Sequence, residues 1–426
     1  MTSESVTPVL ADHRTSRAAS AAAPGDTTTD SPPVAPIQSL TALIAVPTLH
    51  AGAADTGALE LTRILAAAGH HPLVVSGGGR LADDVRAAGG VCITLDMASR
   101  NPVRMLRNAV AMARLVREHR CDLLHAHGRA AAWSAYIAAR ITGVPFLTTW
   151  YKGFRQQNAF KRLYNGVMTR GDRVIVVSDQ LAELVNERYG TPWSRIAVVP
   201  PCIDVTRFDP AAVTRDRIAA VRRAWGVADG DRVILVVGRM LRRKGHHVVV
   251  RAAQRLKAMG LKDFVVVFAT QDQATRTAAD LWDRVLATET NDIIRMAGSI
   301  DDLPAAYAAA AVSVSAAVQP EGLQRSLLEA QAMARPVIVS DLGAGPEVVL
   351  APPAVAGDRI TGLRFATGDD AALAAALIRL FSMPEAEQRA IGARGRAWVL
   401  GHFNAETSAQ LTLRLYADVT HRSKVA

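Results

Sequence analysis

Two carboxylates in the stretch PEGLQRSLLEAQAMARP, residues 320–336, stand eight positions apart: Glu321 ahead of an apolar helical pattern and Glu329 inside it. With the helix starting near Leu323, Glu329 falls about one and a half to two turns in, displaced about 10 Å along the axis at ~1.5 Å per residue. Carboxylates so separated can accept hydrogen bonds from hydroxyls at both ends of a long polar ligand, while free N–H groups at the helix start attract phosphate. A nucleotide sugar has that layout, its sugar and ribose being held apart by a diphosphate. The same residues have a structural reading, since acids favour helix N-termini and a second Glu can face solvent.

The stretch VVGRMLRRKGHH, 236–247, supplies cations. A β-branched strand runs into Gly238-Arg239, and a basic loop ends in Lys244-Gly245 at a helix start. Arg and Lys fixed there would grip a diphosphate leaving group. A solvated basic loop is the alternative, and Arg242 and Arg243 are read as solvent residues. In LLHAHGRAAAW, 123–133, two histidines end a strand before Gly128 and a helix. His127 is expected first past the strand, able to face a cleft, with His125 on the same side one pleat further back. Taken alone, a strand-end histidine also reads as a structural group. TLHAGAADTGALEL, 48–61, carries a loop through Gly52 and Ala53 into a helix, a shape able to approach a ligand closely.

These residues need a frame. From residue 41 short β-branched runs alternate with longer helical patterns. Strands are predicted at 43–49, 71–76, 91–95, 122–126, 145–150, 172–178 and 196–200, then at 231–238, 263–269, 292–298, 311–317 and 335–340. Repeated strand-then-helix order is the signature of parallel sheets covered on both faces. PPCIDVTRFDP, 200–210, interrupts it with three prolines and is read as a linker. The expected fold is α/β, with two parallel-sheet domains at 39–202 and 203–403. Loops at the carboxyl ends of parallel strands bind ligands, which puts the site in the cleft between the halves. Beyond 370 the pattern is helical, and a last helix within 404–426 is expected to cross back and brace the first domain.

Half of the 426 residues are apolar, enough for two cores. Residues 1–38, rich in Ala, Thr, Ser and Pro with few large aliphatics, read as a disordered tail without the charged start and apolar run of a secretory signal. The formal charge is +10, and setting aside the tail's two arginines and four acids raises it to +12. Such a surface favours anionic partners: nucleotide diphosphates, nucleic acid or an anionic membrane face. There is no RNA-binding aromatic signature and no zinc-finger spacing, so nucleic acid is not expected as a partner. The uncharged stretch 305–320 is too short and too Ala/Ser-rich to span a bilayer. Cys92, Cys121 and Cys202 are widely spaced, form no pair motif, and point to a reducing compartment, the cytoplasm.

Together, the strand-Gly-Arg-x4-Lys-Gly run, the Glu-x7-Glu pair and the His-x-His strand end resemble the retaining glycosyltransferases of the GT-B fold, family 4 (group 1). The resemblance runs from about residue 40 to 420 and includes KRLYNGVM at 161–168, DRVIVVS at 172–178, IDVTRFDP at 203–210 and LLEAQAMARPVIVSD at 327–341. It implies two Rossmann-like domains, the first on the acceptor side and the second binding a nucleotide sugar. It also implies transfer from a nucleotide-diphosphate sugar with the anomeric configuration kept, and no metal or other cofactor. On the matching positions, Arg239 and Lys244 would hold the diphosphate and stabilise its departure, and Glu329 would bind the ribose hydroxyls. Glu321, with Gly322 and Leu323, would contact the donor sugar. His127 would lie at the sugar's other face near the anomeric centre, stabilising rather than attacking, and Gly52 and Ala53 would form the acceptor-side loop. Negative charge grows on the phosphate as the glycosidic C–O bond breaks, and preorganised cations lower that barrier.

Several positions depart from the family's pattern. Ala53 stands for a second Gly, and Thr149, Trp150, Tyr151 and Lys152 stand for Thr-x-His-Gly. Cys202 stands for the Gly of an Asn-Gly-Ile-Asp linker, Gln324 for the second Gly of Glu-Gly-Phe-Gly, and Ala334 for another Gly. The resemblance leads to a cytoplasmic hexosyltransferase of surface polysaccharide, lipopolysaccharide or glycolipid assembly, with a glycan or lipid-linked acceptor. The basic, aromatic-containing WYKGFRQQNAFKRLYN, 150–165, suits peripheral contact with an anionic inner-membrane face and equally an ordinary surface helix with a basic face. Two other readings are a nucleotide-sugar-binding partner subunit with lost or weak transfer, motivated by the departures, and an epimerase that converts donor without an acceptor.

Overall fold

The computed structural model describes residues 39–425 except 51, 154–157 and 271–274, and the side chains of 422–425 are not described. The expected tail at 1–38 and the middle of the 150–165 segment lie outside the described residues.

Among those residues, thirteen strands form two wholly parallel sheets. The first contains β1 (Thr41–Ala45), β2 (His71–Ser76), β3 (Val91–Thr94), β4 (Leu123–His127), β5 (Phe146–Trp150), β6 (Arg173–Val176) and β7 (Ile196–Val198) in the order β3-β2-β1-β4-β5-β6-β7. The second contains β8 (Arg232–Val237), β9 (Phe264–Ala269), β10 (Ile294–Gly298), β11 (Val312–Ser315), β12 (Val337–Ser340) and β13 (Gly362–Phe365) in the order β10-β9-β8-β11-β12-β13. The two halves are thus Rossmann-like. Every strand read from the sequence has a counterpart, with shifted bounds in most: the first runs Thr41–Ala45 rather than 43–49 and the fourth Leu123–His127 rather than 122–126, while the second keeps 71–76. The edge strand β13 was not anticipated, because four residues, GLRF, are too few to show a period.

Both faces of each sheet are covered, which explains the unbroken apolar runs. Leu43 and Ala45 of β1 point into one layer while Ala42 and Ile44 point into the other. In β8, Ile234 and Val236 face one layer and Val233 and Leu235 the opposite one. Each sheet reverses its order beside its first strand, between β1 and β4 and between β8 and β11, and the loops leaving there open onto a common cleft.

Two crossings join the halves. The linker's Ile203 N–H donates to the Phe403 carbonyl at 2.8 Å, so outgoing and returning chain lie side by side. The final helix, Ala405–Val425, then packs on the first sheet, where buried Tyr416 and Val419 join Leu40, Ile44 and Leu49. A further clasp comes from Glu347, whose carboxylate accepts from the backbone N–H groups of Asp179 (2.9 Å) and Gln180 (2.7 Å). These open the helix Asp179–Tyr189, and a carboxylate there complements the exposed donors and the dipole.

Candidate active site

Each wall of the cleft is built from the carboxyl end of a strand. After β1, Asp55, in the first turn of the helix Ala53–Ala67, reaches back and accepts from the N–H groups of His50 (3.1 Å) and Gly52 (3.0 Å) and from the Thr48 hydroxyl (3.3 Å). One buried carboxylate thereby fixes the loop holding Gly52 and Ala53. After β8, Gly245 adopts a left-handed φ of 68°, and a Cβ there would stand 1.7 Å from the Ala316 carbonyl oxygen. Only glycine allows that approach, which pins the basic loop against the end of β11.

The pinned loop brings its cations to Glu321. Lys244 Nζ lies 2.6 Å from Glu321 Oε2, and Arg243 Nε donates to Oε1 at 2.8 Å. The reading of Arg243 as a solvent residue is therefore corrected: it shares the Glu321 carboxylate with Lys244. Arg242 does project into solvent, 83% exposed, with Asp280 at 3.2 Å. Arg239 is exposed and has no carboxylate partner among the described residues.

The helix expected from Leu323 begins instead at Arg325 and runs to Ala332. Gln324 takes the position before it and turns its side-chain oxygen to the Ser315 hydroxyl, so the chain is not yet helical at Leu323. Glu329 consequently sits about one turn inside, ~6 Å along the axis rather than ~10 Å. Its Oε2 accepts from the Tyr307 hydroxyl at 2.9 Å, and Arg325 Nε stands 4.0 Å from Oε1. Burial raises the Glu329 pKa, with Arg325 and the Tyr307 bond pulling it back.

These pieces enclose a cleft of about 620 Å³. His50, Gly52, Ala53 and Asp55 line it from the first domain, facing Arg239, Arg243, Lys244, Gln324, Arg325 and Glu329 of the second. Arg239, Lys244, Glu329, Gly52 and Ala53 thus come together as neighbours. Glu321 bonds two of the lining cations, Arg243 and Lys244. Gly322 and Leu323 serve the contact between halves: a Cβ on Gly322 would lie 2.1 Å from the Tyr151 carbonyl oxygen, and Leu323 packs against apolar layers of both domains.

His127 is not past its strand, as expected, but is the last residue of β4, buried at 1% exposure. A loop covers it: its Nδ1 shares a 2.9 Å hydrogen bond with the Tyr151 hydroxyl, while Nε2 has no partner of good geometry, the Ala54 backbone offering only a weak interaction. Burial pushes its pKa down to about 4, so the ring is neutral near pH 7. His125 lies beside it, ring centroids 4.6 Å apart, bonded at 2.7 Å to both the Tyr416 hydroxyl and the Thr149 hydroxyl.

Several site residues escaped the sequence reading. Asp55 carried a signal, an acid in the first turn of a helix after a Gly-containing loop. Arg325, which donates to Glu60 of the first domain, and Tyr307, which bonds Glu329, carried none, because their partners are remote in sequence.

Comparison with known proteins places this arrangement. Residues 54–207 match the model of Glycosyltransferase Family 4, and residues 231–383 match that of Glycosyl transferases group 1. The D-inositol 3-phosphate glycosyltransferase of Salinispora tropica is 27% identical over 329 residues, covering 72% of this chain and 66% of that protein. That of Kineococcus radiotolerans is 29% identical over 322 residues, covering 70% and 72%. The match thus spans about two thirds of the length of these relatives. A glycosyltransferase structure from Rickettsia africae ESF-5 superposes with a TM-score of 0.81 at 26% identity, over 90% of this chain and 99% of that one. Anabaena HepE in complex with UDP and glucose shares the fold, with a TM-score of 0.76 at 16% identity over 89% and 99%.

Proposed function

Since the chain is a glycosyltransferase of the GT-B fold, we propose that it moves a sugar from a nucleotide-diphosphate donor to an acceptor hydroxyl with retention of the anomeric configuration. The acceptor is a glycan or lipid-linked precursor of a surface polysaccharide, lipopolysaccharide or glycolipid. The observation that carries this reading is the convergence of Arg239, Arg243, Lys244 and Glu329 on one cleft wall opposite the Gly52–Ala53 loop.

In this scheme Glu329 receives the ribose hydroxyls, its buried carboxylate oriented by Tyr307. Arg239 and Lys244 hold the diphosphate and meet the charge that grows on it as the C–O bond to the sugar breaks. Glu321 contacts the donor sugar and fixes Lys244 and Arg243 in place, so the cations need not reorganise when the charge develops. His127, uncharged and held by Tyr151, backs the wall near the sugar's other face and stabilises by position rather than as an acid. The scheme calls on no metal, because the diphosphate charge is met by side chains.

The reading extends to a cytoplasmic, peripheral protein at an anionic membrane face. Phe160 (75% exposed) and Leu163 (57%) project from the helix Ala159–Gly166 beside Lys161 and Arg162, a combination suited to that interface. Among the described residues, no helix is long and apolar enough to cross a membrane.

A thermal-shift screen of the purified protein across UDP-, GDP- and ADP-sugars, followed by turnover with candidate acceptors, tests the proposal. One donor class should stabilise the protein and be consumed only when an acceptor is present. Binding without consumption would identify a binding-only subunit, and conversion without acceptor an epimerase.

A further inference from the structure

Tyr151 is the first residue past β5, and it is held at both ends. Its phenol rests on the helix Ala53–Ala67 at Gly57, where a Cβ would stand 1.9 Å from the hydroxyl oxygen and 2.5 Å from Cζ. Only glycine leaves room there, although glycine inside a helix is otherwise unfavourable. The Tyr151 carbonyl meets the second domain at Gly322, where a Cβ would lie 2.1 Å away. One residue therefore reaches the helix that follows the Gly52–Ala53 loop, the segment beside Glu321 and, through its 2.9 Å hydroxyl bond, the Nδ1 of His127.

The direction of that bond decides where the imidazole keeps its hydrogen. A phenol hydroxyl can donate or accept, and a neutral imidazole has one N–H and one bare nitrogen. Among the described residues the Tyr151 hydroxyl has no other hydrogen-bond partner, and the buried Nε2 of His127 has none. If Nδ1–H donated, the phenol hydrogen and the bare Nε2 would both be left unpaired. If the phenol donates, only the Nε2–H is left over, and this arrangement wins because each unsatisfied buried polar group is costly. The Ala54 backbone acts on the ring in the sense of a weak acceptor, which also calls for a hydrogen on the nitrogen that Tyr151 does not occupy. Burial, with Glu60 adding to it, raises the Tyr151 pKa well above its ordinary value, so the phenol keeps the hydrogen it donates.

We propose that Tyr151 is a positioning residue for the transfer reaction: its hydroxyl holds His127 as the Nε2–H tautomer and so gives the wall behind the Gly52–Ala53 loop an uncharged hydrogen-bond donor for an oxygen of the donor sugar. The inference rests on the transferase reading, which places His127 near the sugar, and adds the group that fixes the polarity of that contact. An N–H meets oxygen lone pairs and growing negative charge, whereas a bare nitrogen repels them. His125 cannot substitute, because the Tyr416 and Thr149 hydroxyls engage both of its nitrogens. The close approach at Gly322 adds a second consequence: the segment read as a donor-sugar contact packs against the residue that orients the imidazole. Tyr151, which stands where the family's pattern has the His of Thr-x-His-Gly, thereby acquires a role.

The test pairs nitrogen NMR of the imidazoles with kinetics, on the full chain and its Tyr151→Phe variant, which keeps the ring over Gly57 and removes only the hydroxyl. Histidine-selective nitrogen labelling at pH 7, with His127→Gln to assign the signals, reads the tautomer directly. His127 should carry its hydrogen on Nε2 in the wild type and become a mixture of Nε2–H and Nδ1–H forms in Tyr151→Phe. Gly57→Ala, which displaces the phenol without altering either partner, should change the same signals. In Tyr151→Phe kcat should fall about 10- to 100-fold, the usual cost of removing the partner that orients a functional histidine, with the donor KM within about threefold. Nucleoside diphosphate affinity should stay within about twofold, which also shows that the variant is folded. A wild-type Nδ1–H form, signals unchanged in Tyr151→Phe, or an altered tautomer with kcat intact overturns the role. A chain that consumes no nucleotide sugar with any acceptor overturns the transferase reading instead, and the NMR comparison still decides whether Tyr151 sets the tautomer.

Discussion

Arg325, the first residue of a second-domain helix, donates to the carboxylate of Glu60 on a first-domain helix, and the pair bridges the cleft one helical turn from Glu329. Burial raises the Glu60 pKa, and Arg325 pulls it back. A hydrogen bond between charged groups in such a partly buried position contributes roughly 1.5–3 kcal/mol. Glu60→Gln should therefore lower stability by about 2 kcal/mol in urea unfolding. Exchanging the partners, Glu60→Arg with Arg325→Glu, should recover part of the loss; no recovery would show that the two side chains do not act as a pair.

The donor grips separate into binding and rate. Arg239→Ala and Glu329→Ala should each abolish the melting-temperature rise produced by the nucleotide sugar. Lys244→Ala should retain some binding but lower kcat by about 100- to 1,000-fold, the usual cost of removing one preorganised group that meets developing charge. Unchanged shifts in both Arg239→Ala and Glu329→Ala would contradict the assignment of this wall to the donor.

His127 makes stability depend on pH in a defined window. Its pKa falls from 6.5 to about 4 on burial, so between those values the unfolded chain binds the proton and the folded one does not. Stability from this residue is complete above pH 6.5 and declines as pH drops toward 4, by roughly 3 kcal/mol in all. His125 and His246 are shifted the same way, so the informative quantity is a difference. Denaturant titrations at pH 7 and pH 4.5 should show a smaller loss in His127→Gln than in the wild type.

Gly322 sets how closely the halves approach. An alanine there would place its Cβ 2.1 Å from the Tyr151 carbonyl oxygen, a distance no folded protein tolerates. Gly322→Ala should hold the domains apart, visible as a larger radius of gyration in solution scattering. Transfer should fall about 100-fold, since a displacement near 1 Å has that effect on positioned reactants. A variant with unaltered scattering and full activity would exclude this role.

Much of this molecule can be read from its residues one segment at a time. Strands buried on both faces, such as VILVV in β8, announce themselves by unbroken apolar runs. The Gly238-Arg239 turn, the Lys244-Gly245 loop end and the Glu321/Glu329 spacing are local, and all fall on or beside one cleft. What depended on the third dimension was less accessible. Whether Arg243 or Arg242 turns inward follows from where Gly245 meets the Ala316 carbonyl, and the displaced helix start follows from Gln324 finding Ser315. Pairs such as Arg325 with Glu60, or Glu347 with the 179–189 helix, join residues more than 160 positions apart and leave no periodic trace.

The hydroxyl that Tyr416 places against His125 has a practical consequence for dissecting the protein. The chain begins its first sheet near residue 41 and supplies the last piece of that sheet's covering only after residue 405. A fragment severed at the linker would lack its own lid, with Ile44 and Leu49 bared and an imidazole left wanting. Adding the terminal peptide in trans should rescue it, making the two halves candidates for split-protein complementation rather than for separate production.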